Sequence, residues 1–125
     1  MSYRAVWEEN GIYIRFAGVV PYQDVCGADH EVFASPRFPD ADYCVWDLSD
    51  VDRLELSETQ ILMSAVKDMG RSIDKASFRG VFVASDKEVR VKIKRYIEAI
   101  SDLATTWTFN LYSSLEEADS AVGRA

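Results

Sequence analysis

One histidine, two cysteines and three prolines are spread over 125 residues. A lone His30 excludes a histidine-rich metal site, and no nucleophile is evident as its catalytic partner. Cys26 and Cys44 are too few and too far apart for a zinc motif, and read as packing residues in a reducing compartment. The six glycines form neither a G-x-G-x-x-G fingerprint nor a P-loop, so no glycine-rich phosphate cradle is present. No apolar run approaches the roughly 18 residues of a membrane helix. Met1-Ser2-Tyr3-Arg4 lacks the apolar core of a signal peptide, and a cytoplasmic protein is expected. Positive charge is scarce: 14 Lys and Arg face 21 Asp and Glu, for a net charge of −7. That balance argues against nucleic-acid binding, which needs clustered cations on phosphates. The deficit is uneven, because nine basic and four acidic residues lie between Lys67 and Arg95. This stretch reads as two solvated helices, with a basic face for an anionic partner as the alternative.

What is there is an ordinary globular composition, 48% hydrophobic and 28% charged, in a length that suits a single domain over residues 1–125. Ala5, Val6 and Trp7 mark a first strand. Asn10-Gly11 suits a tight hairpin turn, and Ile12 to Val20 alternates as the returning strand. Pro21 opens a helix carrying Val25, Ala28, Val32 and Phe33, which stops before Ser35-Pro36. Tyr43 to Leu48 is a short strand apolar on both faces, as in the middle of a sheet. Ser49 to Leu56 then reads as an acidic connection. Ser57 with Gln60 forms a capping box ahead of a helix whose inward stripe is Ile61, Leu62, Ala65, Val66 and Met69. Gly70 is a candidate end for that helix. Gly80 to Ala84 is a second interior strand, and Ser85 with Glu88 a second capping box. Thr106 to Tyr112 is the last strand, and Ser114 with Glu117 caps the closing helix. The order β-β-α-β-α-β-α-β-α predicts an α/β fold, a mixed and largely parallel sheet with an N-terminal antiparallel hairpin and about four helices.

Candidate chemistry is sparse, and no cofactor is implied. Asp47 is expected to end a central strand, where open α/β sheets bind ligands. With Asp50, Asp52 and Glu55 it has the oxygen ligands of a divalent-metal site, but not the spacing of a calcium loop; solvated loop acids are the preferred reading. Ser85-Asp86 follows a strand and opens a helix, a place where backbone N–H groups hold anions or simply form a cap. Trp46 and Phe82 are candidates to line an apolar pocket, although aromatics at strand spacing usually belong to the core.

Gly18-Val19-Val20-Pro21-Tyr22-Gln23-Asp24, Trp46-Asp47-Leu48-Ser49, Gly80-Val81-Phe82-Val83-Ala84-Ser85-Asp86 and Ser114-Leu115-Glu116-Glu117-Ala118 together resemble the STAS fold of anti-sigma-factor antagonists. The likeness is to the SpoIIAA-like group of small bacterial proteins and covers nearly the whole chain. It implies a mixed-sheet domain that acts by binding a protein partner, not as an enzyme. In the antagonists a serine opening the second helix is phosphorylated by a partner kinase, and Ser57 holds the equivalent place. The chain reads Glu55-Leu56-Ser57-Glu58 where the antagonists carry an Asp-Ser-Ser-Gly type motif, so a plain helix cap is preferred for Ser57. The expected partner surface is Asp47, Ser49, Asp50, Asp52, Ser57 and Glu58. The SpoIIAA-like group is also similar in fold to lipid-binding domains of the Sec14 kind. That similarity implies a second function, carriage of a small apolar or lipid ligand, with Trp46, Phe82, Ser85 and Asp86 about the pocket. The edge of the first strand suggests a homodimer.

Overall fold

The structure is a computed structural model and describes residues 1–124. Five strands and four helices follow the expected order: β1 (Tyr3–Trp7), β2 (Gly11–Pro21), α1 (Tyr22–Phe33), a 3-10 turn (Phe38–Asp40), β3 (Tyr43–Glu55), α2 (Glu58–Ser72), β4 (Arg79–Val83), α3 (Lys87–Asp102), β5 (Thr108–Tyr112) and α4 (Leu115–Val122). The sheet order is β1-β2-β3-β4-β5. β1 and β2 pair as the antiparallel hairpin, and all later neighbours are parallel.

That order fixes where the helices go. Each crossover from β2 to β5 steps one strand in the same direction. Right-handed connections stepping one way put α1, α2 and α3 on one face. The core divides accordingly. Ile12, Ile14, Phe16, Cys44, Trp46 and Leu48 pack with Ala28 and Val32 of α1 and with Val89 and Ile93 of α3. The alternate residues Tyr43, Val45, Val81 and Val83 pack on the opposite face against Leu115, Ala118 and Val122 of α4. Gly80 makes the crowded face workable, because a Cβ there would lie 2.6 Å from the Phe109 ring and 2.7 Å from that of Trp46. Trp46 and Phe82 stack beside it with centroids 4.9 Å apart and planes 17° from parallel.

The acidic segment after Leu48 departs from expectation. Ser49 to Glu55 is no connecting loop but the second half of β3, pairing with Ala17 to Pro21 of β2. Arg15 and Ala17, two residues apart, pair with Asp47 and Asp50, three apart. Gly18 and Val19, one apart, pair with Val51 and Arg53, two apart. Each shift inserts one extra residue into β3, which is a β-bulge. Gly18 sits between the two at φ +72°, a backbone state that glycine adopts without steric cost. As a result Leu48, Val51 and Leu54 are all buried at a spacing of three. The period-two signal of a strand is lost, although the strand is real. β4 reaches only to Asp47 in this register, so β2 and β3 run on beyond it as a two-stranded ribbon.

Smaller boundaries also move. Gly70 lies inside α2. β4 begins at Arg79, and β5 at Thr108 rather than Thr106. Asp86, not Ser85, caps α3. Among the described residues no helix is long and apolar enough to cross a membrane.

Candidate functional site

The acidic residues do not converge. Asp47 lies mid-strand and is 3% exposed, so it neither ends β3 nor faces a crevice. Its carboxylate accepts from the Tyr13 hydroxyl and from the Ser49 hydroxyl, and from the Ser49 backbone N–H at 3.1 Å. Burial, followed by the bond to Asp47, pushes the Tyr13 phenol up from its ordinary range. Asp50 pairs with Arg15, Glu55 pairs with Arg53 at 3.1 Å, and Asp52 is exposed. The strand order also contains no reversal, so the sheet lacks the switch point at which open α/β folds bind ligands outside strand ends.

Ser57 is an exposed N-cap. Its hydroxyl accepts from the Gln60 N–H at 3.2 Å, and its own N–H donates to Gln60 Oε1 at 2.9 Å, the complete capping box. Glu58 reaches across to Arg95 of α3 at 2.7 Å. Asp86 accepts from the Val89 N–H at 3.0 Å, while Ser85 is exposed; neither belongs to a pocket with Trp46 and Phe82. The basic excess between Lys67 and Arg95 is not a free face. Arg79, Arg90, Lys92 and Lys75 donate to the carbonyls of Ala121, Ala84, Leu54 and Pro39, clipping loops and strand ends together. His30 is exposed on α1.

A cavity of about 70 Å3 lies between the sheet and the three helices. Its floor is Phe16, Trp46, Leu48, Leu54 and Phe82 from the sheet. α1 supplies Val25 and Asp29, α2 supplies Ile61, Ser64 and Asp68, and α3 supplies Lys92, Ile93 and Tyr96. The space exists because α2 rests chiefly on α3 and bridges the ribbon rather than lying on it. A water needs about 10–15 Å3 measured in the same way, so the cavity has room for about five non-hydrogen atoms.

Two carboxyls face this apolar space. Asp68 is 4% exposed and fully engaged: Arg71 donates to Oδ1 at 2.6 Å, and the Tyr96 hydroxyl donates to Oδ2. Asp29 lines the cavity, is half-buried, and receives no hydrogen bond from any described residue. Burial pushes both carboxyls up. At Asp68 the hydrogen bond from Tyr96 and the Arg71 guanidinium oppose that push. At Asp29 the Asp68 charge adds to it, and its pKa is driven well above the carboxylate range. The proton therefore belongs on Asp29 and the charge on Asp68. The same burial raises the Tyr96 phenol and the Cys44 thiol, with both carboxylates adding to the rise, which leaves Cys44 an inert packing group.

Asp29 and Asp68 escaped the sequence reading. Each sits alone among polar helix positions, and only the 3.6-residue phase places it on the inward side. Asp29 falls four positions after Val25 and three before the buried Val32, and Asp68 three after the buried Ala65. An acid in phase with a buried stripe is the signal that was present.

No protein-family model and no curated protein matches the chain. Among solved structures it is similar to an uncharacterized protein from the DUF3478 family with a SpoIIAA-like fold from Shewanella loihica PV-4. The identity is 12% and the TM-score 0.49, over 95% of this chain and 90% of that one.

The raised Asp29 pKa has a consequence for stability. The folded state keeps a proton that the unfolded chain releases at about pH 4, so folding stability falls as pH rises from there through the folded pKa. Asn cannot ionise. In urea titrations between about pH 4 and pH 8, Asp29→Asn is expected to gain on the wild type as pH rises. Parallel profiles for the two proteins would mean that Asp29 ionises freely in the fold.

Proposed function

We propose that this chain is a non-enzymatic, STAS-like domain that binds a small amphipathic molecule between its sheet and its helical layer. The observation that carries the reading is the apolar cavity walled by Trp46 and Phe82 and ended by one unpartnered carboxyl, Asp29. Ligand sites of this kind combine apolar walls with a few polar groups that fix orientation. At about 70 Å3 the cavity suits a short chain or small ring, not a long acyl chain. Two further features support a binding role. Cys44 is buried with its thiol pushed up, and His30 is exposed, so neither forms half of a catalytic pair. Both cysteines are free, in keeping with a reducing cytoplasmic setting.

1-Butanol, with five non-hydrogen atoms, tests the pocket. At ten times its Kd it should stabilise the fold by about 1.4 kcal/mol. NMR shift changes should centre on Trp46 and Phe82. Changes scattered over the surface, with no thermal shift, would remove the pocket from the account.

A second reading is favoured by the surface beside the cavity. Asp50 and Asp52 are exposed on the ribbon, and Leu62, Met63 and Val66 are 39%, 44% and 60% exposed on α2. This acidic and apolar surface, beginning at Ser57, suits a protein partner with basic and apolar contacts. The Asp50→Lys, Asp52→Lys double variant should lose at least tenfold in recovery of such a partner from the host extract. Unchanged recovery would set the reading aside.

A further inference from the structure

We propose that the cavity is a site for a small primary amine, its ammonium held by Asp29 and its apolar tail laid against Trp46 and Phe82. The proposal rests on the pocket reading above and adds the chemistry of the head group.

Asp29 and Asp68 both line the cavity. Arg71 of α2 is committed to Asp68 at 2.6 Å, as is the Tyr96 hydroxyl of α3. Lys67, the other cation of α2 near Asp29, is turned to the Tyr22 hydroxyl of α1 at 3.4 Å, with its ammonium 5.8 Å from that ring's centroid. Lys92 of α3, the one cation lining the cavity, donates to the Leu54 carbonyl at 2.5 Å. The buried thiol of Cys44 on β3 and the Tyr96 phenol of α3 both lie close enough to feel the Asp29 charge. Among the described residues Asp29 is thus left without an ion pair and without a donor, beside a carboxylate that has both.

An empty cavity meets this shortfall with a proton. A ligand ammonium meets it with a charge and three donors. A ligand carboxylate would instead face the Asp68 charge, and a neutral head would leave Asp29 protonated. The wall suits the tail, since Trp46, Phe82 and Tyr96 bring apolar ring surface to one small space. With room for about five non-hydrogen atoms, the cavity matches an amine with a chain of about four carbons.

The proton balance makes the proposal testable. The amine enters as its ammonium, Asp29 releases its proton to solvent, and an ion pair forms. Below the Asp29 pKa, affinity should rise about tenfold per pH unit, levelling off above that pKa and falling once the amine itself loses its proton near pH 10. The experiment is a calorimetric and NMR titration of the intact chain with butylamine at about pH 5 and about pH 8, with 1-butanol as the neutral counterpart. Butylamine should bind at least tenfold tighter at the higher pH, and 1-butanol equally at both. Asp29→Asn should weaken butylamine at least tenfold more than it weakens 1-butanol, whose remaining binding also reports that the variant is folded. Asp50→Asn with Asp52→Asn should leave butylamine unchanged, separating the cavity from attraction to the acidic surface. If 1-butanol binds but butylamine shows no pH dependence or no loss in Asp29→Asn, the amine assignment is overturned and the pocket remains. If neither probe binds, the pocket reading and the amine assignment fall together.

Discussion

Parallel strands joined by right-handed crossovers leave the chain no choice of face when every crossover steps the same way. From β2 to β5 the strands are laid down in order, so α1, α2 and α3 compete for one side of a five-stranded sheet. The other side receives only the eight residues of α4. The strands are also unequal. β2 and β3 run to 11 and 13 residues, while β4 and β5 have five each. The helical layer must therefore span both the full sheet and the ribbon that overhangs it. α1 and α3 settle on the strands, α2 spans the step between them, and the cavity is the space beneath it.

Into this space the helices place two acids, Asp29 and Asp68, and one committed ammonium, Lys92. A core seeking stability alone would fill such a gap with aliphatic side chains, since replacing buried ionic groups with well-packed apolar ones is often neutral or stabilising. Asp68 has its compensation in Tyr96 and Arg71, and Arg71 in turn lies over the Phe33 ring at 4.3 Å, tying α1 to α2. Asp29 has no such compensation. A half-buried carboxyl without a partner at the edge of an apolar cavity is a cost that packing does not explain and ligand recognition does.

The architecture was legible in the sequence because most elements announce themselves locally. Asn10-Gly11, the capping box at Ser57 and Gln60, and the apolar runs at Cys44–Leu48 and Gly80–Ala84 each act through neighbours close in the chain. The ribbon was not legible, because two bulges change the spacing of Leu48, Val51 and Leu54 from two to three and leave acids on the exposed positions between them. Trp46 and Phe82 were found together because strand alternation and parallel pairing bring them side by side. Asp29 and Asp68 were not, because they are 39 positions apart, on α1 and α2, and come together only around the cavity of the folded chain. The cations of the Lys67–Arg95 stretch illustrate the same limit. Their number is visible in the sequence, but their use as clips on distant carbonyls depends on the tertiary fold.

The central claim is that Asp29 is a proton-bearing, unpartnered carboxyl beside an ionised Asp68. It is tested most directly by a carbon-detected NMR titration of the aspartate side-chain carboxyls in the ligand-free protein. The account predicts that Asp29 titrates well above the ordinary carboxylate range and that Asp68 carries the charge while Asp29 holds the proton. An Asp29 resonance that titrates near pH 4, as in an exposed aspartate, would contradict it.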